Sequence, residues 1–140
     1  MAELVADRLR SFLDAYEHEP WSPGNRVDCC LIIAEWLIWL GYPDPAVHLR
    51  GTYGAGQGQV DVLVAHGGAS TLIESCVVPL GARRVTLPQR GDFGAVGSPS
   101  CLTRQFGVIH DGCGWLTRTA RGFHRLTARP LAIWRLHGNS

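Results

Sequence analysis

Two cysteines follow an acidic residue at the start of an apolar segment, in the order Asp28, Cys29, Cys30. Asp is a preferred N-cap residue because its carboxylate accepts hydrogen bonds from the first free N–H groups of a helix. We therefore predict a helix over residues 28–40, with Cys29 at its first helical position. The helix dipole there favours a thiolate, whereas the adjacent Asp28 charge opposes it. The position of Cys29 permits nucleophilic chemistry but is not sufficient for it.

The remaining cysteines do not form a metal or disulfide pattern. The chain has five cysteines, an odd number at irregular spacing, with no Cys-x-x-Cys or His-x-x-x-His pair to hold a metal. Cys30 is interpreted as a small apolar core residue. The glycine-rich residues 54–58 lack the flanking strand and helix of a nucleotide site and indicate a loop. We predict no metal, no cofactor and a reducing place of synthesis.

The elements that must position Cys29 fall into two groups along the chain. Apolar residues at helical spacing predict an amphipathic helix over 3–17, and residues 28–40 are apolar nearly all round, which is typical of a core helix. Residues 59–65 fit a helix or a strand, and a helix is favoured. A further helix is predicted over 70–78, with Ser70 as a possible N-cap. Five β-type runs separated by turn residues follow, over 92–96, 103–110, 114–119, 123–126 and 131–136.

Helices followed by a strand meander predict an α+β fold, with the helices packed on an antiparallel sheet. A chain of 140 residues is long enough for one domain, spanning 1–140. The net charge of +1 and the scattered arginines argue against a nucleic-acid partner. No apolar run is long enough for a membrane span, and the amino terminus lacks an export pattern.

Several short motifs, taken in order, resemble those of the NlpC/P60 cysteine peptidases. More narrowly, they resemble those of small relatives encoded in the tail gene clusters of bacteriophages and gene-transfer agents. The motifs are Asp28-Cys29-Cys30, Arg50-Gly51-Thr52-Tyr53, Gly91-Asp92-Phe93-Gly94, Gln105-Phe106-Gly107-Val108, Gly114-Trp115, Thr119-Ala120-Arg121-Gly122 and Ala132-Ile133-Trp134-Arg135. The resemblance covers residues from about Trp21 to Arg135 and implies a papain-like fold of NlpC/P60 type.

The resemblance also implies roles for individual residues. Cys29 matches the peptidase nucleophile, and Gln105 stands where these peptidases carry the histidine base. The third position, which orients that histidine, falls near Thr117 or Thr119. Glutamine cannot accept and return a proton near neutral pH, so the motif predicts a retained fold without catalysis.

Another histidine could replace the missing base only if the strand register differs from the predicted one. His110 lies five residues beyond Gln105 on the same strand, so alternation places the two side chains on opposite faces. His124 lies in a later strand. The remaining histidines are interpreted as solvated; they are His18, His48, His66 and His137.

The resulting expectation is a structural component of a tail tip or hub, made in the bacterial host cytoplasm and incorporated in the virion. Its partners would be other tail proteins, contacted through the loops 20–26 and 51–58, with Trp21, Asp28 and Tyr53 as binding residues. One alternative is an active peptidoglycan endopeptidase that uses Cys29 during infection. Another is an interaction domain unrelated to phages, which exposes Trp21 and Tyr53 in a partner groove.

Overall fold

The computed structural model describes residues 2–136, with side chains from Arg8 onward. Within this range the helices are α1 (Ala2–Tyr16), α2 (Leu31–Trp39), α3 (Gln57–Ala65) and α4 (Ala69–Val77), with 3-10 turns at Val78–Leu80 and Leu102–Arg104. The strands are β1 (Arg83–Arg84), β2 (Phe93–Gly97), β3 (Gln105–His110), β4 (Trp115–Thr119), β5 (Gly122–Leu126) and β6 (Ala132–Arg135). His137 lies outside the described residues.

The strands form one antiparallel sheet in the order β1-β6-β2-β3-β4-β5. The α+β prediction is therefore confirmed. Alternation along each strand separates the two faces of the sheet. Ala95, Ile109 and Trp134 belong to the main core together with residues of α1, α2 and α4. Their neighbours in the chain form a second cluster on the opposite face; they are Val96, Val108 and Ile133.

Helix α2 lies at the centre of the main core. Residues Leu31 to Leu37 are all buried, and the fully buried indole of Trp36 donates to the Gly91 carbonyl oxygen at 2.9 Å. A helix that is apolar on nearly all sides must be covered on nearly all sides, as the sequence predicted. It begins at Leu31, two residues later than a start at Cys29, because the chain at 28–30 still forms a turn.

Other predicted boundaries agree with the structure within a few residues, with two corrections. Residues 59–65 are helical, within α3. Ser70 is not the N-cap of α4: the cap residue is Gly68, and the buried Ser70 hydroxyl has no partner among the described residues. The sequence also missed β1, whose two residues pair with the end of β6.

Among residues 2–136, no single helix is long and apolar enough to cross a membrane. The α3 segment and residues 69–80 meet the length and composition criteria only as a pair, across a bend of 69°.

Candidate functional site

A groove of about 870 Å³ opens where α2 begins. Its walls come from four parts of the chain: the turn at 28–30, the loop and helix at 53–63, the segment 103–106 that enters β3, and the segment 117–120 that ends β4. Trp21 adds an indole from the loop before Asp28. The groove therefore brings together the predicted site residues Trp21, Asp28, Cys29, Tyr53, Gln105 and Thr117.

Asp28 organises the entry into α2. It is 1% exposed, and its Oδ1 accepts from the N–H groups of Cys30 at 2.9 Å and Leu31 at 2.7 Å. Its Oδ2 accepts from the Gly24 N–H at 3.0 Å and from the Tyr53 hydroxyl at 2.6 Å. The predicted hydrogen bonds from Cys30 and Leu31 to Asp28 are confirmed, but the N-cap residue of α2 is Cys30, so Asp28 and Cys29 both precede the helix. The Asp28 carboxylate is fully occupied by structural bonds. Burial and the Asp28 charge raise the pKa of Tyr53, so this phenol remains a donor.

Cys29 and Cys30 both line the groove, at the start of α2. Both are half-buried. The pKa of the Cys30 thiol is raised well above its usual value, first by its hydrogen bond with Cys29 and then by burial, while the Gly107 backbone acts in the opposite direction. Cys30 therefore remains a thiol that contacts the Cys29 sulfur.

The turn at 28–30 packs directly on β3 because residue 107 is glycine. A Cβ atom at Gly107 would lie 2.6 Å from the Cys29 carbonyl oxygen, 2.7 Å from Ile33 Cδ1 and 3.4 Å from Cys30 Cα. No side chain fits in this space. The Cys29 backbone therefore contacts β3 at this point.

Gln105 uses both ends of its amide for structural bonds. Its Oε1 accepts from the Ala69 N–H at 2.9 Å, and its Nε2 donates to the Ser98 carbonyl oxygen at 2.9 Å. The first of these bonds satisfies a free N–H group at the start of α4, where no side chain of the helix itself provides a cap. Gln105 thus lines the groove as a link between α4 and the end of β2.

Thr117 is buried on the groove wall, next to Arg118. Arg118 is 1% exposed, and its guanidinium donates to the carbonyl oxygens of Tyr16, Glu17, Glu19 and Thr119. Burial lowers the pKa of Arg118. The arginine satisfies the last carbonyls of α1, so its charge is committed to the fold.

None of the described groove-lining residues is a histidine. His110 lies on the opposite face of the sheet, where its ring packs edge-on against Trp115 at a centroid distance of 4.8 Å and accepts from the Gly112 N–H. The predicted placement of His110 is confirmed. His18, His48 and His124 are exposed, and the half-buried His66 contacts the Val62 carbonyl oxygen within its own helix region.

The two predicted loops form one connected rim. The Gly51 N–H donates to the Gly24 carbonyl oxygen at 2.7 Å. The Glu35 carboxylate, on α2, anchors both loops: it pairs with Arg50 at 2.7 Å and with Arg26 at 3.3 Å, and it accepts from the Tyr16 hydroxyl. Glu35 was not among the predicted site residues, although a lone carboxylate in an apolar helix indicates a buried charge that needs partners.

The family of the chain follows from a match over nearly its whole length. A family model described as a domain of unknown function, DUF6950, matches residues 3–136. The chain belongs to this family. No curated protein and no solved structure matched the chain.

Proposed function

We propose that this protein is a structural component of a bacteriophage or gene-transfer-agent tail, at the tip or hub, in which an NlpC/P60-like, papain-type fold binds partners instead of cleaving them. The assignment to a tail rests on the order of the motifs from Asp28 to Arg135. The absence of catalysis rests on the geometry of the groove. Peptidoglycan cleavage is the rival function.

The observation that carries this proposal is the bonding of Gln105. The position that would hold the base faces the groove, but its amide is held by Ala69 and Ser98. A cysteine peptidase needs a group that takes the thiol proton and returns it to the leaving amine. The Gln105 amide cannot supply that group, and none of the described residues that line the groove is a histidine. Thr117 cannot orient a base that is not there.

A turnover assay tests the absence of catalysis. Purified wild-type protein and Cys29→Ala are incubated with muropeptides that carry intact stem peptides, and cleavage products are separated chromatographically. We expect no turnover by either protein. Turnover by the wild type that Cys29→Ala abolishes would establish the peptidase instead. The observation in favour of that rival is that the half-buried Cys29 lines the groove.

A complementation assay tests the assignment to a tail. Trp21 lines the groove but is only half-buried, so its indole can contact a partner. Trp21→Ala is compared with Trp39→Ala, a matched change at an indole that is 40% exposed outside the groove. We expect Trp21→Ala to reduce incorporation into particles more than Trp39→Ala, with melting temperatures measured for both. Particles that assemble normally without the protein would refute the structural role.

A further inference from the structure

Strands β3 and β4 diverge at the groove. Their register comprises only the pairs Ile109↔Leu116 and His110↔Trp115. In contrast, β3 pairs with β2 over five positions and β4 pairs with β5 over five positions. Residues 105–108 of β3 thus pair with β2, and residues 117–119 of β4 pair with β5, but these two segments do not pair with each other. The groove lies between these two segments.

The start of α2 covers the β3 side of this opening. The Gly107 backbone interacts with the Cys30 thiol, and the Cys29 carbonyl oxygen lies against Gly107. The contacts of α2 with Gly107 lie on the β3 side, and residues 117–119 of β4 lie across the opening. The Thr119 carbonyl oxygen accepts from Arg118, whereas the rest of this edge has no partner strand on the groove side. An unpaired strand edge is a template for an additional extended chain.

The charges of the groove favour an acidic occupant. Its one carboxylate, Asp28, is buried and accepts four hydrogen bonds. Arg118 is committed to carbonyl oxygens of the chain. Arg104 lies exposed at the rim, and its guanidinium has no hydrogen-bond or ion-pair partner among the described residues. An occupant that carries a carboxylate would complement this cation.

The walls supply apolar contacts for the alternate side chains of a strand. They include Trp21, Tyr53, Val60, Leu63 and Phe106. We propose that the groove binds an extended, acidic segment of a partner protein as an added strand along residues 117–119, with a carboxylate of that segment beside Arg104. This inference rests on the proposed function, in which the groove is a binding surface.

Selection from a display library tests the inference. A library of random 12-residue peptides is selected against the full-length protein, and the strongest binder is synthesised for measurement of its Kd. We expect sequences with alternating apolar residues and at least one Asp or Glu. Amide hydrogen exchange at 117–119 should become slower when the peptide is bound.

Two charge reversals provide the matched comparison. Arg104→Glu is expected to weaken the peptide about five- to tenfold, because a rim attraction becomes a repulsion. Arg129→Glu makes the same change at an exposed arginine outside the groove and should change the Kd less than twofold. The inference would be overturned if the two variants had equal effects, if the bound peptide protected amides elsewhere, or if no binder were selected.

Muropeptide turnover is measured separately, so a failure of the proposed function is distinguishable from a failure of strand binding.

Discussion

Gln105 is the residue that the proposed resemblance aligns with a catalytic base, and its side chain supports the fold. A glutamine with no structural role would leave its amide free, whereas here both polar atoms of the amide have partners. A Cβ added at Gly68 would lie 2.3 Å from Gln105 Oε1, so the amide packs tightly against the chain before α4. The glutamine is thus an integral part of the α4 start.

Gln105→His is therefore expected to lower stability without creating a peptidase. A neutral imidazole has one donor and one acceptor, but its Nδ1 lies closer to the backbone than either polar atom of the amide, so the substituted histidine would keep at most one of the two bonds. An unsatisfied buried group costs about 1–3 kcal/mol. The free energy of unfolding from urea titration should fall by about 2 kcal/mol, a value in that range. Gln59→His is the control, since Gln59 also lines the groove but its amide makes no hydrogen bond within the part of the chain that the structure describes. Muropeptide turnover by folded Gln105→His, absent in Gln59→His, would contradict this prediction.

The Tyr53 hydroxyl should stabilise the protein through Asp28. It donates to Asp28 Oδ2 at 2.6 Å, next to the bond from Gly24. Tyr53→Phe removes this donor from a buried carboxylate, and we expect a loss of about 1.5–3 kcal/mol, as for hydrogen bonds to charged groups. Thermal or urea unfolding measures it. Tyr42→Phe removes a hydroxyl that donates to the neutral Leu136 carbonyl and should cost less; an equal or larger cost there would argue against charge-assisted bonding at Asp28.

At the scale of elements, the contact between the turn at 28–30 and β3 determines where the groove opens. Gly107 has no positive φ, so only the space around its Cα requires glycine. The adjacent atoms are a backbone carbonyl and the Ile33 side chain. A larger residue must therefore push α2 away from the sheet.

Gly107→Ala is expected to destabilise the protein by about 1–3 kcal/mol, the usual cost of overpacking. The control is Gly54→Ala, because a Cβ at Gly54 meets no atom within 4 Å. Urea unfolding measures both variants, and the alkylation rate of Cys29 reports on the turn. A Gly107→Ala protein as stable as Gly54→Ala would mean that α2 does not pack closely on β3.

Local patterns were sufficient to predict most elements of this fold. The apolar run after Asp28 predicted α2, and the β-type runs predicted β2 to β6 within two residues at every boundary. Two long-range supports could not be predicted. Gln105 caps α4 across 36 residues, and Arg118 caps the end of α1 across about 100. No local signal indicates that a strand residue will satisfy the end of a distant helix.

The candidate site was predictable to the same extent. The motif order placed Cys29, Gln105 and Thr117 near one another, and the groove contains all three. The sequence could not indicate that Glu35 would anchor both rim loops, because the partners Arg26 and Arg50 lie on separate loops. The start of α2 also differed: the helix begins at Leu31, and Asp28 bonds to the N–H groups of Leu31 and of Cys30, the residue before it.

At the scale of the whole molecule, ion pairs between separate elements link acid stability to the fold. Asp44 accepts from Arg50, which also pairs with Glu35 of α2. Asp111 accepts from Arg125 of β5 and from the N–H groups of Cys113 and Gly114 in the β3–β4 turn. Burial alone would raise the pKa of both carboxyls, but these bonds outweigh it and lower the pKa of each.

The stability of the protein should therefore fall with acidification in a way that depends on these two residues. A carboxyl whose pKa is lower in the folded than in the unfolded protein adds to the free energy of unfolding. This contribution is complete above the pKa of the unfolded chain, about 3.9 for Asp, and is lost as the pH falls through the folded-state pKa. We expect the double variant Asp44→Asn/Asp111→Asn to be about 1–2 kcal/mol less stable than wild type at pH 7, after discounting for the exposure of Arg125. The difference should begin to shrink as the pH falls below about 4, where the carboxyls of the unfolded chain take up protons, and it should vanish once the folded carboxyls are protonated too.

The control for this pH experiment is Asp14→Asn/Asp61→Asn, which changes two exposed carboxylates to the same amide. Asp14 has only a 3.6 Å pair with Arg10 one turn away, and Asp61 accepts from Gln57 on the same helix. Because exposed pairs within one helix contribute little, the control should stay close to wild type throughout the titration. Urea unfolding at pH 7, 5, 4 and 3 gives the free energies. Parallel curves for wild type and Asp44→Asn/Asp111→Asn would show that these bonds between elements do not govern the acid stability of the fold.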